Sequence, residues 1–167
     1  MARMLVALWV SVVAVLPALA DNAPGFFYAE RGHWTVMNYP AACRAVNRPP
    51  EDFNQAPFNA LQITVRPGNR ISVEVFFWPG AVDPDADNAL ALVFGGGAPL
   101  ILPATAAMGD YMLASSDSPE LWGQLQKAKR LAAKVKDNPR IALSFSLDQI
   151  GWVLTALQTC TRTLPKA

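Results

Sequence analysis

The chain has 167 residues, enough for one domain with a substantial core, and its formal net charge is +1. Because the charges are nearly balanced, the sequence lacks the basic excess that binds nucleic acid or an anionic lipid surface, and we expect no nucleic-acid partner. Hydrophobic residues make up 52% of the chain, but an apolar run near the N-terminus inflates that figure.

Residues 1–20 have the pattern of a secretory signal peptide. Arg3 precedes an apolar run over residues 5–15, and the run is followed by a small-x-small cleavage site that ends at Ala20. The run is too short to span a bilayer as a helix, and no second run of membrane length follows it. We therefore expect cleavage after Ala20, a single periplasmic or secreted domain over residues 21–167, and no membrane span in that mature chain. The alternative is an uncleaved N-terminal anchor.

The chain has two cysteines, Cys43 and Cys160, and in an exported protein an even count favours one disulfide bond between them. A reactive cysteine is the alternative, but there is no C-x-x-C motif and the single histidine is His33. We expect Cys43 and Ala45 to share one face of a strand, with Arg44 on the other face. The bond would close a loop of more than one hundred residues. In the chain-entropy model, closing a loop of that length stabilises the fold by about 4–5 kcal/mol.

Alternation of apolar and polar residues predicts a mainly antiparallel β-sheet or sandwich. The expected strands lie at residues 33–39, 42–46, 59–65, 70–78, 89–94, 99–104, 110–115, 131–136 and 140–147. Residues 21–32 are expected to form an aromatic lead-in, and residues 49–57 a polar loop. The clearest element is the hairpin over residues 59–78, in which Pro67 and Gly68 occupy turn positions that need a fixed and a positive φ.

Two short helices complete the predicted α+β fold. Ser118 is a suitable N-cap for the first helix, and Pro119 is a suitable first residue. Ser146-x-x-Gln149 has the pattern of a capping box for the second helix. The apolar residues of that helix lie on a single face, and they are Ile150, Val153, Leu154, Leu157 and Cys160. We therefore expect the C-terminal helix to lie on the sheet, held there by the disulfide.

The remaining motifs favour structural roles over metal or phosphate chemistry. Residues 83–88 place carboxylates at positions 1, 3 and 5 of a calcium-type loop, but position 12 is Phe94 rather than glutamate. The glycines at residues 95–97 lack the Lys-Ser/Thr pair of a phosphate loop. The isolated His33 supports neither a zinc site nor a catalytic triad, and the basic residues at positions 127–136 fit a helix end and a solvated strand face. We expect no metal and no cofactor.

A candidate ligand-binding face lies on the second strand of the predicted hairpin. Glu74 is an acidic residue in the middle of that strand, and Phe76 and Trp78 share its face. The alternative is that Phe76 and Trp78 pack beneath a helix, with Glu74 at the edge. The sequence is also compatible with catalysis by a pair of carboxylates, although it identifies no catalytic residue.

Short motifs along the chain resemble those of small uncharacterised secreted bacterial proteins and, more distantly, of the invasion-associated locus B family. The motifs are Trp34-x-Val36, Cys43-x-Ala45, Phe145-Ser-Leu147 and Val153-Leu154-x-Ala156-Leu157-x-x-Cys160. That family has an early W-x-V, a β-rich middle and a final strand that runs into a short helix. The resemblance implies a periplasmic, non-enzymatic, sandwich-like protein tied to the cell envelope, and no catalytic residues carry over.

The sequence thus leads to one main hypothesis and two alternatives about function. The main hypothesis is a non-enzymatic, envelope-associated binding module of unknown ligand, whose partner is an envelope component or another protein. The first alternative is a small hydrolase with two converging carboxylates. The second is a carrier with an apolar cavity between the sheet and the helices.

Overall fold

The structure is a computed structural model that describes residues 26–47, 59–68, 70–107 and 110–164. The expected signal peptide, residues 1–20, and the expected polar loop, residues 49–57, both lie outside the described residues. No helix formed by the described residues has the length and apolar character that crossing a membrane requires.

The described residues form ten strands and two helices. In chain order they are β1 (Tyr28–Arg31), β2 (Trp34–Tyr39), β3 (Ala42–Asn47), β4 (Ala60–Arg66), β5 (Arg70–Phe76), β6 (Ala89–Phe94), β7 (Pro99–Ala107), β8 (Tyr111–Ser116), α1 (Pro119–Lys127), β9 (Arg130–Val135), β10 (Asn138–Ser146) and α2 (Ile150–Thr163). The strands form an antiparallel sheet in the order β1-β2-β3-β4-β5-β8-β7-β6-β9-β10. The predicted α+β class is confirmed.

Strand β7 joins two parts of this sheet. Its first half, up to Pro103, pairs with β6, whereas its second half, from Ala104, pairs with β8. Proline has no backbone N–H to give to a ladder, and Pro103 stands where the strand changes partner. We call the strands from β1 to β8 in the sheet order the larger part, and β6, β9 and β10 the smaller part.

The hydrophobic core is continuous across both parts and includes both helices. In the β4–β5 hairpin every second residue is fully buried, as the alternation predicted, and Gly68 has the positive φ of 83° that the turn requires. The buried hairpin residues are Leu61, Ile63, Val65, Ile71, Val73 and Val75. We call this buried side of the strands the inner face and the opposite side the outer face.

The predicted disulfide is confirmed. Cys43 on β3 is bonded to Cys160 on α2, their Cα atoms are 6.0 Å apart, and both residues are completely buried. Helix α2 lies on the inner face against β2, β3 and β4. Its apolar stripe is buried as the sequence predicted, so the bond ties the last helix to an early strand.

A second attachment holds the segment that precedes α2. The indole Nε1 of Trp34 donates to the backbone O of Asp148 at 2.9 Å, and the Nδ2 of Asn47 donates to the O of Ser146 at 2.7 Å. Trp34 and Asn47 face each other across β2 and β3. Because Asn47 and Cys43 lie toward opposite ends of β3, that strand is linked to α2 or its lead-in near both ends.

Two predictions about where secondary-structure elements begin need correction. Residues 28–31, expected in the lead-in, form β1 and pair with β2. The capping box before α2 is wrong, because the Oγ of Ser146 accepts from the N of Asp148 at 3.2 Å and Gln149 caps the helix in a left-handed conformation without a side-chain bond. The other N-cap is confirmed, because the Oγ of Ser118 accepts from the N of Glu120 at 3.1 Å.

Candidate functional site

The outer face of the larger part carries polar side chains in the centre of the sheet. Its members, which we call the polar face, are Arg44, Gln62, Thr64, Arg66, Ser72, Glu74, Phe76, Tyr111 and Ser115. Strand pairing sets Arg44 opposite Thr64, Thr64 opposite Ser72, and Ser72 opposite Ser115. Thr64 and Ser72 are completely buried although they lie on the face opposite to the core, so other parts of the chain cover them.

Glu74 lies at the centre of the polar face and is half-buried. Its carboxylate accepts from the Nε2 of Gln62 at 2.7 Å and from the Oγ1 of Thr64 at 3.4 Å. Both donors lie on the neighbouring strand β4, and Gln62 is directly opposite Glu74 in the ladder. The carboxylate is therefore fixed by two neutral side chains, in an interior strand rather than at the edge of the sheet.

The structure brings Phe76 next to Glu74 on one face but separates Trp78 from them. The Phe76 ring stacks on Tyr111 of β8, with centroids 5.4 Å apart and planes at 26°, so its partner is a neighbouring strand rather than a helix. Trp78 follows the end of β5, is 43% exposed and meets Phe77 edge to face. None of the candidates Glu74, Phe76 and Trp78 lines the cavities with described linings.

Arginine and serine side chains of the polar face were not predicted as candidates. The Nη1 of Arg66 donates to the Oγ of Ser72 at 3.0 Å, and that hydroxyl lies 2.9 Å from the Oγ of Ser115. The Nε of Arg44 is buried and has no hydrogen-bond partner within the part of the chain that the structure describes. Sequence reasoning could have identified Arg44 from its predicted place on the strand. Arg44 directly follows Cys43, whose side chain faces the core, so the side chain of Arg44 must lie on the outer face.

Aromatic side chains of the first two strands adjoin the polar face. The Arg44 guanidinium lies 4.3 Å from the centroid of the Tyr39 ring, a cation–π contact. Tyr28 pairs with Met37 of β2, lies on the outer face like Arg44, and is 52% exposed. The Tyr28 hydroxyl donates to Glu30, and this bond to a carboxylate raises the pKa of Tyr28 above its usual value.

A groove of about 980 Å³, lined by described residues, lies on the smaller part of the sheet. Its lining includes Lys129 and Arg130 at the start of β9 and the glycines of the turn after β6. Val93, Ala132 and Ser144 also line it. No residue of α2 lines it, so this groove is not the cavity between sheet and helix that a carrier needs.

Residues 83–88 form a locally bonded turn. The Oδ1 of Asp83 accepts from the N of Asp85 at 3.0 Å, and the Nδ2 of Asn88 donates to the backbone O of Asp83 at 2.7 Å. These bonds close the loop on itself. Among the described residues no three His, Cys, Asp or Glu side chains are grouped so that they could hold a metal ion, and His33 lies exposed in the β1–β2 turn.

Comparison with solved structures finds a similar fold. The chain is similar to the crystal structure of invasion associated protein B from Bartonella henselae, with a TM-score of 0.53 over 81% of this chain and 96% of that chain, at 12% identity. The resemblance predicted from the short motifs is thereby confirmed as a distant structural similarity, and at this identity it concerns the fold alone. No protein-family model matches the sequence, and no curated protein matches it.

Proposed function

We propose that this protein is an exported, non-enzymatic binding module of the cell envelope that takes its ligand on the polar face. The observation that carries the proposal is the difference between the two sides of the same strands. The inner side is apolar and covered by α2, whereas the outer side holds a bonded set of polar side chains around Glu74. Polar groups that are already ordered lose little freedom when a ligand binds.

The state of Glu74 favours binding over catalysis. A carboxylate that acts as a general base must be directed at a substrate proton, whereas this one accepts hydrogen bonds from Gln62 and Thr64. Such bonds hold the carboxylate in one orientation and suit it to accept a hydrogen bond from a ligand. The ligand's source is an envelope component or another protein.

Export is supported by the buried disulfide and by the N-terminal sequence. A disulfide is stable in an oxidising compartment and rare in the bacterial cytoplasm, and Cys43 and Cys160 are bonded in the core. The mature form is expected to begin at Asp21. Intact-mass measurement of the protein from the periplasm tests this, and retention of residues 1–20 in the exported pool would contradict it.

Co-sedimentation of the purified protein with isolated bacterial envelopes tests the binding proposal. The variant Glu74→Gln, Trp78→Ala should reduce the bound fraction about fivefold, since it changes the fixed carboxylate of the polar face and the exposed Trp78 ring just beyond the end of the same strand. The matched control is Glu120→Gln, Ile101→Ala, because Glu120 is exposed on α1 and Ile101 is 42% exposed on the other part of the sheet.

The control should bind within about twofold of the unaltered protein. Equal loss in both variants would place the interaction outside the polar face. Absence of the unaltered protein from the envelope pellet would refute the proposal itself.

A further inference from the structure

We propose that the outer edge of β10 is a docking site for an extended, acidic segment of a partner protein, which pairs antiparallel with Ala142 and Ser144 as an added strand. This edge belongs to the smaller part of the sheet and lies outside the polar face, so the inference goes beyond the proposed function. Strand addition takes its affinity from main-chain hydrogen bonds and its specificity from alternate side chains.

Strand β10 is the last strand in the sheet order, and within the described ranges it pairs with β9 alone. The N of Leu147 donates to the carbonyl of the residue that precedes β9. Because successive residues of a strand direct their backbone groups to opposite sides, those of Ala142, Ser144 and Ser146 face away from β9. The bond from Asn47 to the O of Ser146 agrees with this direction and closes the edge at that residue. The backbone groups of Ala142 and Ser144 are left for a partner.

This stretch of edge lacks the features that commonly protect the edge of a sheet, which are charged side chains, proline, a bulge or a very short strand. The opposite edge has two of them, because β1 has four residues and includes Glu30 and Arg31. In β10 the proline and the register shift come before Ala142, and the uncharged residues 142–146 follow in regular register. Ala142 and Ser144 are both exposed, so this part of the edge is accessible to an incoming strand.

Two cations of β9 lie one strand in from this edge, on the outer face. The register sets Lys134 opposite Ala142 and Arg130 opposite Ser146, and residues directly opposite each other share a face. Neither cation forms an ion pair with any residue that the structure describes. Only short side chains of β10 separate them from a strand added at the edge, so carboxylates on that strand would meet unpaired positive charge.

An open groove gives acidic side chains room to approach these cations. The groove of about 980 Å³ is lined by Lys129 and Arg130 of the β9 end and by Ser144 and other residues of β10. Its described lining includes one acidic residue, Asp148, against the two cations. The groove therefore joins the edge of β10 to a surface with an excess of positive charge.

The register also sets the sequence that the partner needs. Residues opposite Ala142 and Ser144 are two apart and would direct their side chains to the outer face, toward Lys134 and Arg130. The residue between them would face the inner side, next to Leu143, which is half-buried. The geometry thus selects an extended segment with the alternation acidic–apolar–acidic.

The same charges oppose a second copy of this chain as the occupant. Antiparallel pairing of β10 with itself would bring Arg130 and Lys134 of both copies onto one continuous face. Like charges at neighbouring positions of a sheet repel each other, whereas an acidic strand supplies the complementary charge.

Calorimetric titration of the purified, oxidised protein with three short capped peptides tests this inference. The first peptide alternates valine with glutamate, and it should bind saturably. The second alternates valine with lysine, and it should bind about tenfold more weakly or worse, because its charges meet Arg130 and Lys134. The third is the first with methylated glutamate nitrogens, which removes the donors directed at β10, and it should not bind.

Variants of the edge and of the cations separate the two parts of the site. Ser144→Pro removes the outward N–H and leaves the ladder to β9 its donors, so the glutamate peptide should bind about tenfold more weakly, whereas Ser144→Ala should bind within about twofold. Arg130→Gln, Lys134→Gln should weaken binding about fivefold. Its control is Lys127→Gln, Arg162→Gln, which removes two exposed cations from the last turns of α1 and α2 and should bind within about twofold. Melting temperatures establish that the variants are folded.

If Ser144→Pro does not fold, the methylated peptide makes the same test on the unaltered protein. The inference is overturned if the glutamate peptide does not bind, if the lysine or the methylated peptide binds equally well, or if folded Ser144→Pro binds undiminished. Sedimentation velocity of the protein alone gives a further test, because a dimer that Ser144→Pro abolishes would assign the edge to a second copy and overturn the inference. These measurements use neither envelopes nor the polar face, so their failure leaves the proposed function standing.

Discussion

The two faces of β3 and β4 make different kinds of contact, although their residues alternate along the same strands. On the inner face Cys43 is bonded to α2, and its neighbours are buried apolar side chains. On the outer face Arg44, Thr64 and Arg66 lie among polar groups. The inner contacts remove apolar area from water and crosslink distant parts of the chain, which stabilises the fold. The outer contacts join polar groups to one another, which contributes less to stability, and the proposed function assigns ligand binding to this face.

The largest expected effect is loss of the disulfide on the inner face. The variant Cys43→Ser, Cys160→Ser should lower the free energy of unfolding by about 2–5 kcal/mol, because the bond spans 117 residues and both partners are buried. Urea denaturation measures the loss, and faster clearance by proteases should accompany it.

Hydrogen exchange should show where that loss acts. In the disulfide variant the amides in the C-terminal half of α2 should exchange faster than in the unaltered protein. Those of the β4–β5 hairpin should change less, because the hairpin ladder does not depend on the bond. The start of α2 should change less, since Trp34 and Asn47 still hold residues 146–148. Two free thiols in the denatured, unreduced protein, or earlier opening of the hairpin, would refute this account of the inner face.

The next effect concerns the second attachment on the inner face. Trp34→Phe removes the indole donor to Asp148 and part of a side chain that is 1% exposed. The expected loss of stability is about 1–3 kcal/mol. Trp78→Phe is the matched control, and its change should be within about 0.5 kcal/mol because Trp78 is 43% exposed. Equal losses in the two variants would mean that the Trp34 bond contributes nothing.

A smaller effect is expected on the outer face. Glu74→Gln preserves the size of the side chain but replaces one carboxylate oxygen that accepts from Gln62 or Thr64. We expect a loss of about 0.5–1.5 kcal/mol, the ordinary value of a hydrogen bond. Glu120→Gln on exposed α1 should change stability by less than that. A loss in Glu74→Gln as large as that of the disulfide variant would remove the distinction between the faces.

The smallest effect is a gain at the start of α2. Gln149 has a φ of 68°, which costs energy for a residue with a Cβ atom. Gln149→Gly should therefore stabilise the protein by about 0.5–1 kcal/mol, and thermal unfolding can detect it. Asp148→Gly is the control and should not stabilise. A loss in Gln149→Gly would show that the Gln149 side chain, which lies near Gly32, makes a contact worth more than the strain.

Local pattern was enough to predict the elements that bury one face. Alternation located β4 and β5, and the apolar stripe of α2 directed Cys160 at the sheet. It missed β1, whose sequence YAER has no apolar alternation and which forms by pairing with β2. It also misjudged the start of α2, because β10 continues to Ser146 and leaves that side chain to bond Asp148 rather than cap the helix.

The polar face could be predicted only in part. The sequence placed Arg44 on the outer face and singled out Glu74 and Phe76, which the structure sets on that face. It could not bring Ser72 to Ser115, because their contact depends on β5 pairing with β8, more than forty residues away. It could not set Arg44 opposite Thr64 either, since that pairing follows from the register of β3 on β4. Long-range register is a property of the folded sheet rather than of any local stretch.

The most direct test of the proposed binding face is amide hydrogen exchange of the protein with and without isolated bacterial envelopes. If the polar face binds the ligand, protection should rise most in β4 and β5, around Gln62 and Glu74, while the amides of α2 stay unchanged. Strongest protection in α2, or in the groove at Lys129 and Arg130, would contradict it. So would an exchange pattern that envelopes do not change.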